Sequence, residues 1–308
     1  LKLKKKVPHR VLTTIEVKIL NFLWKWKLAN GLTLVYGVAP QKSFWRFYRT
    51  LRRLYREGYI KEVSDSKVSI ALWTLTKKGF SYINDGSMGL VQKRYQPQAL
   101  SHDYWATVFH LGEFLLNQPS HVELVSEQEF TAKEIADLPK WLPQSKEHIP
   151  DGFTRIQNAT ENCVVAFEIE LSTKSRSRYE EMIRYLDQNA EINWVCWLCE
   201  NDKIIETITK QVFAVRRQRP YFHHFVLLKD VQKLGWNAPF LWGELIGKTP
   251  MNLLWQQPGS QASHNHVTSQ SHCIMDVYLS NTKSPRKFKG LGSSVDPLEV
   301  LTPKGSGI

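Results

Sequence analysis

From Val164 to Leu171 the chain alternates between two sets of side chains, and a period of two admits an extended strand and little else. Val165, Phe167, Ile169 and Leu171 fall on one face, and Ala166, Glu168 and Glu170 on the other. A charged stretch with helical spacing follows over about 175–189. After it comes an uninterrupted apolar run, Trp194 to Cys199, of the kind that fills the middle of a sheet. Upstream, 121–129 and 149–156 read as strands, preceded by a helix that carries Trp105, Val108, Phe109, Leu111, Leu115 and Leu116. Downstream, 204–217 reads as a helix and 225–228 as a short strand. The order α-β-β-β-α-β-α-β predicts a mixed sheet flanked by helices.

A chain of 308 residues has room for about two domains, and 42% apolar residues with 11 Trp exclude a wholly disordered one. No stretch approaches the roughly 18 apolar residues of a membrane span. The basic start, Leu1 to Lys6, is not followed by the apolar run of a secretory signal, and four Cys do not make a disulfide framework, so a cytoplasmic protein is expected. The net charge of +12 is unevenly spread. Residues 1–100 hold 20 Lys/Arg against 5 Asp/Glu, or +15, while 101–308 hold 21 against 24, or −3. A polyanion bound by the first third follows from that asymmetry, because each phosphate neutralised by Lys or Arg releases condensed counterions. Nucleic acid is the expected partner, with an anionic membrane as the rival.

The first third has its own pattern. Thr13 followed three residues later by Glu16 fits a capping box, and a helix runs from there to about Lys27, with Asn30-Gly31 read as its stop. A short helix is expected over 32–40 and a longer one over 42–57. On the longer helix Phe44, Phe47, Tyr48, Leu51, Leu54 and Tyr55 share one face, and Arg46, Arg49, Arg53 and Arg56 the other. Two alternating segments, 59–63 and 68–75, make a β-hairpin around Ser64-Asp65-Ser66-Lys67, and a further helix opens at Thr76-Lys77-Lys78-Gly79.

Three helices and a hairpin in this order predict a winged helix-turn-helix, and "LRRLYREGYIKEV…WTLTKKGFSYI" resembles the winged-helix units of many bacterial DNA-binding proteins. In such units the third helix enters the major groove and the wing lies along the backbone. Lys42, Ser43, Arg46 and Arg49, with Gln41, are then placed for base edges or nearby phosphates. Arg52, Arg53, Arg56 and the wing residue Lys67 are placed for phosphates. The bland alternative is a solvated helix face.

The predicted organisation is a basic arm over 1–9, a winged-helix domain over 10–86 and a linker over 87–99. A sheet domain spans 100–232, with an extension over 233–255 and a polar, disordered tail over 256–308.

The acidic constellation carries the chemistry. Pro150-Asp151-Gly152 opens the strand before the alternating one, which would bring the Asp151 carboxylate beside Glu168 and Glu170, themselves about 7 Å apart along their strand. Such oxygens suit Mg²⁺ or Mn²⁺, which can polarise a phosphodiester and lower the pKa of an attacking water. Lys174, just beyond the strand, could steady a phosphorane. Glu127 or Glu129 could add a further carboxylate from the preceding strand. Against this, Glu-x-Glu on a strand is often a solvated face, and Asp before Gly is ordinary turn chemistry.

This succession resembles the restriction-endonuclease-like PD-(D/E)XK fold. The resemblance implies that Asp151 and Glu168 ligate metal, with Glu170 in the place of the usual lysine and Lys174 as a migrated one. More narrowly, "SHDYWATVFHL", "SEQEF", "PDGF" and "FEIELSTKSRSRYEEMIRYL" resemble the replication-relaxation family of mobile-element proteins, with a wider likeness to MobC-type plasmid relaxases. The resemblance implies an α+β protein that recognises double-stranded DNA at an origin and nicks it with Asp151, Glu168, Glu170 and Lys174. Relaxosome or replication proteins, and a second copy of the chain, are possible partners. The competing reading is a non-catalytic accessory factor with a degenerate nuclease fold; a third is a repressor with a sensor domain.

Weaker signals remain. Cys196 and Cys199 have zinc-like spacing but sit in a buried run without a second pair. His264, His266, His272 and Cys273 lie in the polar tail. Tyr179 and Tyr185 could act as covalent nucleophiles, yet fit helix packing equally well.

Overall fold

The computed structural model describes residues 11–64, 70–84, 99–157, 162–215 and 222–250, together with 254, 275 and 277–279. The basic arm, Lys67, most of the linker, and the tail histidines with Cys273 lie outside the described residues. The protein is α+β, with a mixed five-stranded sheet and a small antiparallel sheet.

Helix α1, Thr14–Trp26, starts as its sequence requires: the Glu16 amide donates to the Thr13 hydroxyl, and the Thr13 amide donates to the Glu16 carboxylate at 2.8 Å. Its end differs from expectation. The helix stops at Lys27, whose φ of +60° is the only positive value at a non-glycine among the described residues. Asn30 is not its stop but the cap of the next helix, accepting from the Thr33 amide at 2.8 Å to open α2, Gly31–Val38. Asparagine suits either end of a helix, and only the intervening strand β1, Leu28–Ala29, decides between them. Helix α3, Phe44–Arg56, buries Phe44, Phe47, Leu51 and Leu54. Strands β2, Ile60–Ser64, and β3, Ala71–Leu75, pair antiparallel, and β1 adds to the other side of β3. Helix α4, Lys77–Asn84, follows, with Gly79 so close to the Tyr59 carbonyl that a Cβ would lie 2.1 Å from it.

The larger sheet runs β4-β5-β6-β7-β8: Val122–Ser126, Gly152–Gln157, Asn162–Glu170, Trp194–Cys199 and His223–Leu227. The first three strands are antiparallel and the last three parallel. The helices are α5, Leu100–Leu111; α6, Glu127–Ala132; α7, Arg176–Gln188; α8, Asp202–Ala214; and α9, Leu228–Leu234. The alternation of β6 sorts its two faces. Val165, Phe167 and Ile169 pack with Val108 and Phe109 of α5, while Val164 and Ala166 pack with Ile183 and Leu186 of α7 and Ile208 of α8. Each such large side chain taken from water contributes about 1.5–3 kcal/mol.

The strand expected over 121–129 is a correction: it ends at Ser126. Ser126 and Glu129 form a second capping box that turns the chain into α6, so Glu127 and Glu129 are helical, not strand, residues.

The first third and the sheet share a core. Trp26, Leu28, Tyr36, Ile70 and Leu72 belong to the same buried cluster as Tyr104, Trp105 and Phe167. The Thr107 hydroxyl donates to the Trp26 carbonyl at 2.9 Å, and Lys25 Nζ donates to the Leu124 carbonyl at 3.0 Å. Residues from far along the chain complete this contact. Asn30 Nδ2 donates to the carbonyls of Val277, at 2.8 Å, and Tyr278, while the Tyr278 hydroxyl donates to the Gly112 carbonyl at 2.8 Å.

Candidate functional site

Asp151 lies one residue before β5, where its amide donates to the Phe167 carbonyl at 3.0 Å. That pairing sets it beside the C-terminal half of β6, and its Oδ2 accepts from the Ile169 amide, between the two glutamates, at 2.7 Å. Glu168 and Glu170 are 3% and 1% exposed, so the pair is no solvated face. Each carboxylate has its own counter-group. His102 on α5 places Nε2 3.6 Å from Asp151 Oδ2 while donating to the Ile169 carbonyl at 3.1 Å. His148 Nε2 meets Glu168 Oε1 at 2.6 Å. Lys174 Nζ pairs with Glu170 Oε1, and the Tyr179 hydroxyl stands 3.5 Å from Glu170 Oε2.

Burial and mutual repulsion govern the protons here. Burial raises the Asp151 carboxyl to about 6; protonated His102 pulls against this, and Glu168 and Glu127 push further up. Burial likewise raises Glu170 to about 7, Lys174 opposing and Glu168 and Asp151 adding. The field of Asp151 lifts His102 to about 9 against the pull of burial, so this imidazole is charged at neutral pH. A second cation comes from the other side of the interface. Lys27 Nζ lies 3.5 Å from Asp103 Oδ1 and pairs with Glu127. Burial lowers its pKa, and the summed fields of Glu127, Asp103 and Asp151 more than offset that.

Among the described residues, no three His, Cys, Asp or Glu side chains converge where a metal ion could sit. As arranged, Asp151, Glu168 and Glu170 do not fit Mg²⁺ or Mn²⁺: an ion would have to displace His102, His148 and Lys174 to reach their oxygens. Glu129 is also committed elsewhere, to the Ser126 amide and to Lys25 at 3.0 Å. Tyr179 accepts from the Lys174 amide at 3.1 Å, and Tyr185 donates to the Ser145 carbonyl at 2.8 Å. Buried Cys196 and Cys199 are free thiols whose pKa burial raises.

The other candidate residues lie on α3 or just before it, well apart in sequence from the acidic row. Lys42, Ser43, Arg46, Arg49, Arg52 and Arg56 are exposed, with Ser43 opening the helix without a side-chain capping bond. Arg52 stacks 5.2 Å over the Tyr55 ring. Arg53 differs from the rest: its guanidinium pairs at 2.8 Å with Glu16, which is wholly buried, and so ties α3 to α1. On α7, Arg176 and Arg178 pair with Glu180 and Glu181.

Sequence reasoning missed His102, His148 and Lys27. The histidines precede their carboxylates by 49 and 20 residues and carry no spacing signal, and Lys27 pairs across 76 and 100 residues. Compared with protein-family models and with curated proteins, the chain matches none. Among the described residues, no helix is long and apolar enough to cross a membrane.

Proposed function

We propose that this protein binds duplex DNA through the exposed face of α3, as the third helix of a winged helix, and serves DNA processing at an origin-like site of a plasmid or conjugative element. In this reading the sheet unit is a restriction-endonuclease-like scaffold, and the protein is a cytoplasmic accessory factor that positions DNA or recruits replication or relaxosome proteins. The observation that carries the reading is the arginine face itself. Arg46, Arg49, Arg52 and Arg56 stand exposed on a helix without a single acidic residue, within a segment of net charge +15. Phosphates spaced along a duplex match such a face. The mobile-element context rests on the resemblance of the sequence motifs.

A second reading, a divalent-metal-dependent nickase, rests on the motif resemblance alone, since an ion would have to displace His102, His148 and Lys174. The two readings separate in one experiment, with supercoiled plasmid and linear duplex incubated with the protein, Mg²⁺ or Mn²⁺. The accessory reading expects a mobility shift and no open circles. Open circles that vanish in Asp151→Ala and Glu168→Ala, with binding retained, would establish the nickase. Absence of any shift would sink both.

A further inference from the structure

Trp45 is the only exposed tryptophan among the described residues, at 47%, while the others are buried or half-buried. Among the described residues its one aromatic neighbour is Phe44, edge-on at 6.2 Å. An indole held in water on the first turn of a helix is a poor use of the largest apolar side chain, unless something covers it. Its surroundings say what. Counting along α3 at 3.6 residues per turn, Trp45, Arg49, Arg52 and Arg56 fall in one stripe within about 60° of each other, roughly 16 Å long. All four are exposed. Arg53, set about 80° round from Trp45 by the same geometry, is held by Glu16.

We infer that Trp45 is the base-contacting residue of α3, packing its ring on thymine methyls and base edges in the major groove, while Arg49, Arg52 and Arg56 hold the flanking phosphates. The inference rests on duplex DNA being the partner of α3. The chemistry of the two residue types divides the labour. Guanidinium groups suit phosphate, whose charge they match, whereas an indole offers a flat apolar face and a single N–H donor, which phosphate cannot use well. Thymine alone of the four bases presents a methyl group in the major groove. Placement agrees: a helix laid in the groove brings its N-terminal residues closest to the bases, helical side chains lean toward the N-terminus, and Trp45 is the second residue of α3. The arginines farther along would then meet the backbone as the helix leaves the groove.

Phosphate and base contacts differ in salt dependence, and that supplies the test. The full-length protein is used to select its best duplex from a random 30-bp pool, and affinities for that duplex are measured by fluorescence anisotropy over a range of KCl. Trp45→Ala should weaken binding about tenfold, the worth of one good base contact, with the slope of log K against log salt unchanged. Arg49→Ala should flatten that slope by about 0.9. Trp45→Phe, which keeps a ring, should retain most of the affinity. Replacing thymine by uracil at the contacted position should cost the wild type about fourfold, one buried methyl, and cost Trp45→Ala nothing. If the wild type binds and selects DNA but Trp45→Ala binds the same duplex equally well, the assignment of Trp45 is overturned while DNA binding stands. If the wild type binds no duplex at all, DNA binding itself fails and a protein partner for this face takes its place.

Discussion

On α3, Arg46, Arg49, Arg52 and Arg56 stand in solvent on a helix with no acid of its own, whereas at the end of β6 Asp151, Glu168 and Glu170 are enclosed and each is met by a cation or an imidazole. The cost of charge differs in the two places. Exposed arginines lose little by standing unpaired, because water and salt screen them, and so they remain available to a partner. Buried carboxylates cannot stand alone, and the fold answers each from a different element: α5 for Asp151, the loop before Asp151 for Glu168, and the turn before α7 for Glu170. Charge on the first surface is therefore offered outward, and charge on the second is absorbed into the structure.

Four variants would break or sharpen this contrast. The largest effect is expected from replacing Arg49, Arg52 and Arg56 together by alanine. Duplex affinity at moderate salt should fall about a hundredfold, the salt slope should drop by nearly 3, and thermal stability should barely change. A protein that instead unfolds would show these arginines to be structural. Next, Lys27→Met leaves Glu127 without its cation at the interface and Asp103 with His102 alone, and urea unfolding should show a loss of about 3 kcal/mol. An unchanged midpoint would mean that water reaches these groups.

The third is a pH effect. Because Asp151 raises His102 to about 9, the folded chain keeps a proton that the unfolded chain releases near 6.5. The associated stabilisation is full below about 6.5 and is lost as pH rises through about 9. His102→Gln lacks it, so the stability gap between wild type and variant, on the order of 2 kcal/mol at pH 6, should close by about pH 10. A gap independent of pH would exclude a charged His102. Smallest is Arg53→Ala, expected to cost about 1.5 kcal/mol of stability by leaving Glu16 partly unsatisfied, with little change in duplex affinity. An affinity loss as large as that of Arg49→Ala would return Arg53 to the DNA-facing set.

Much of the architecture was legible because it is written in local patterns. The alternation of 164–171 names the two faces of β6, the apolar run 194–199 coincides with β7, and Thr13 with Glu16 marks the start of α1. The same Ser/Thr-x-x-Glu signal is present at Ser126 and Glu129 and would have ended β4 correctly, but the run of apolar residues before it masked the turn. The site was legible only by halves. Asp151, Glu168 and Glu170 share neighbouring strands, so strand pairing alone brings them together. Lys174, four residues after Glu170, was legible too, but His102 and His148 come from α5 and from the 148 loop, and no local period encodes a contact made by packing.

One consequence concerns the order in which the chain is made. Asn30 caps α2 with its carbonyl oxygen while its amide nitrogen donates to the carbonyls of Val277 and Tyr278, 247 and 248 residues later. The helix pair that includes α3 is thus made well before residues 277 and 278, and the buried end of α2 must wait for the 247 residues between before that amide finds its acceptors. Contacts of such separation form late and slowly. A nascent chain would therefore present a basic helical unit well before the turn around Tyr278 is made and docks against α2.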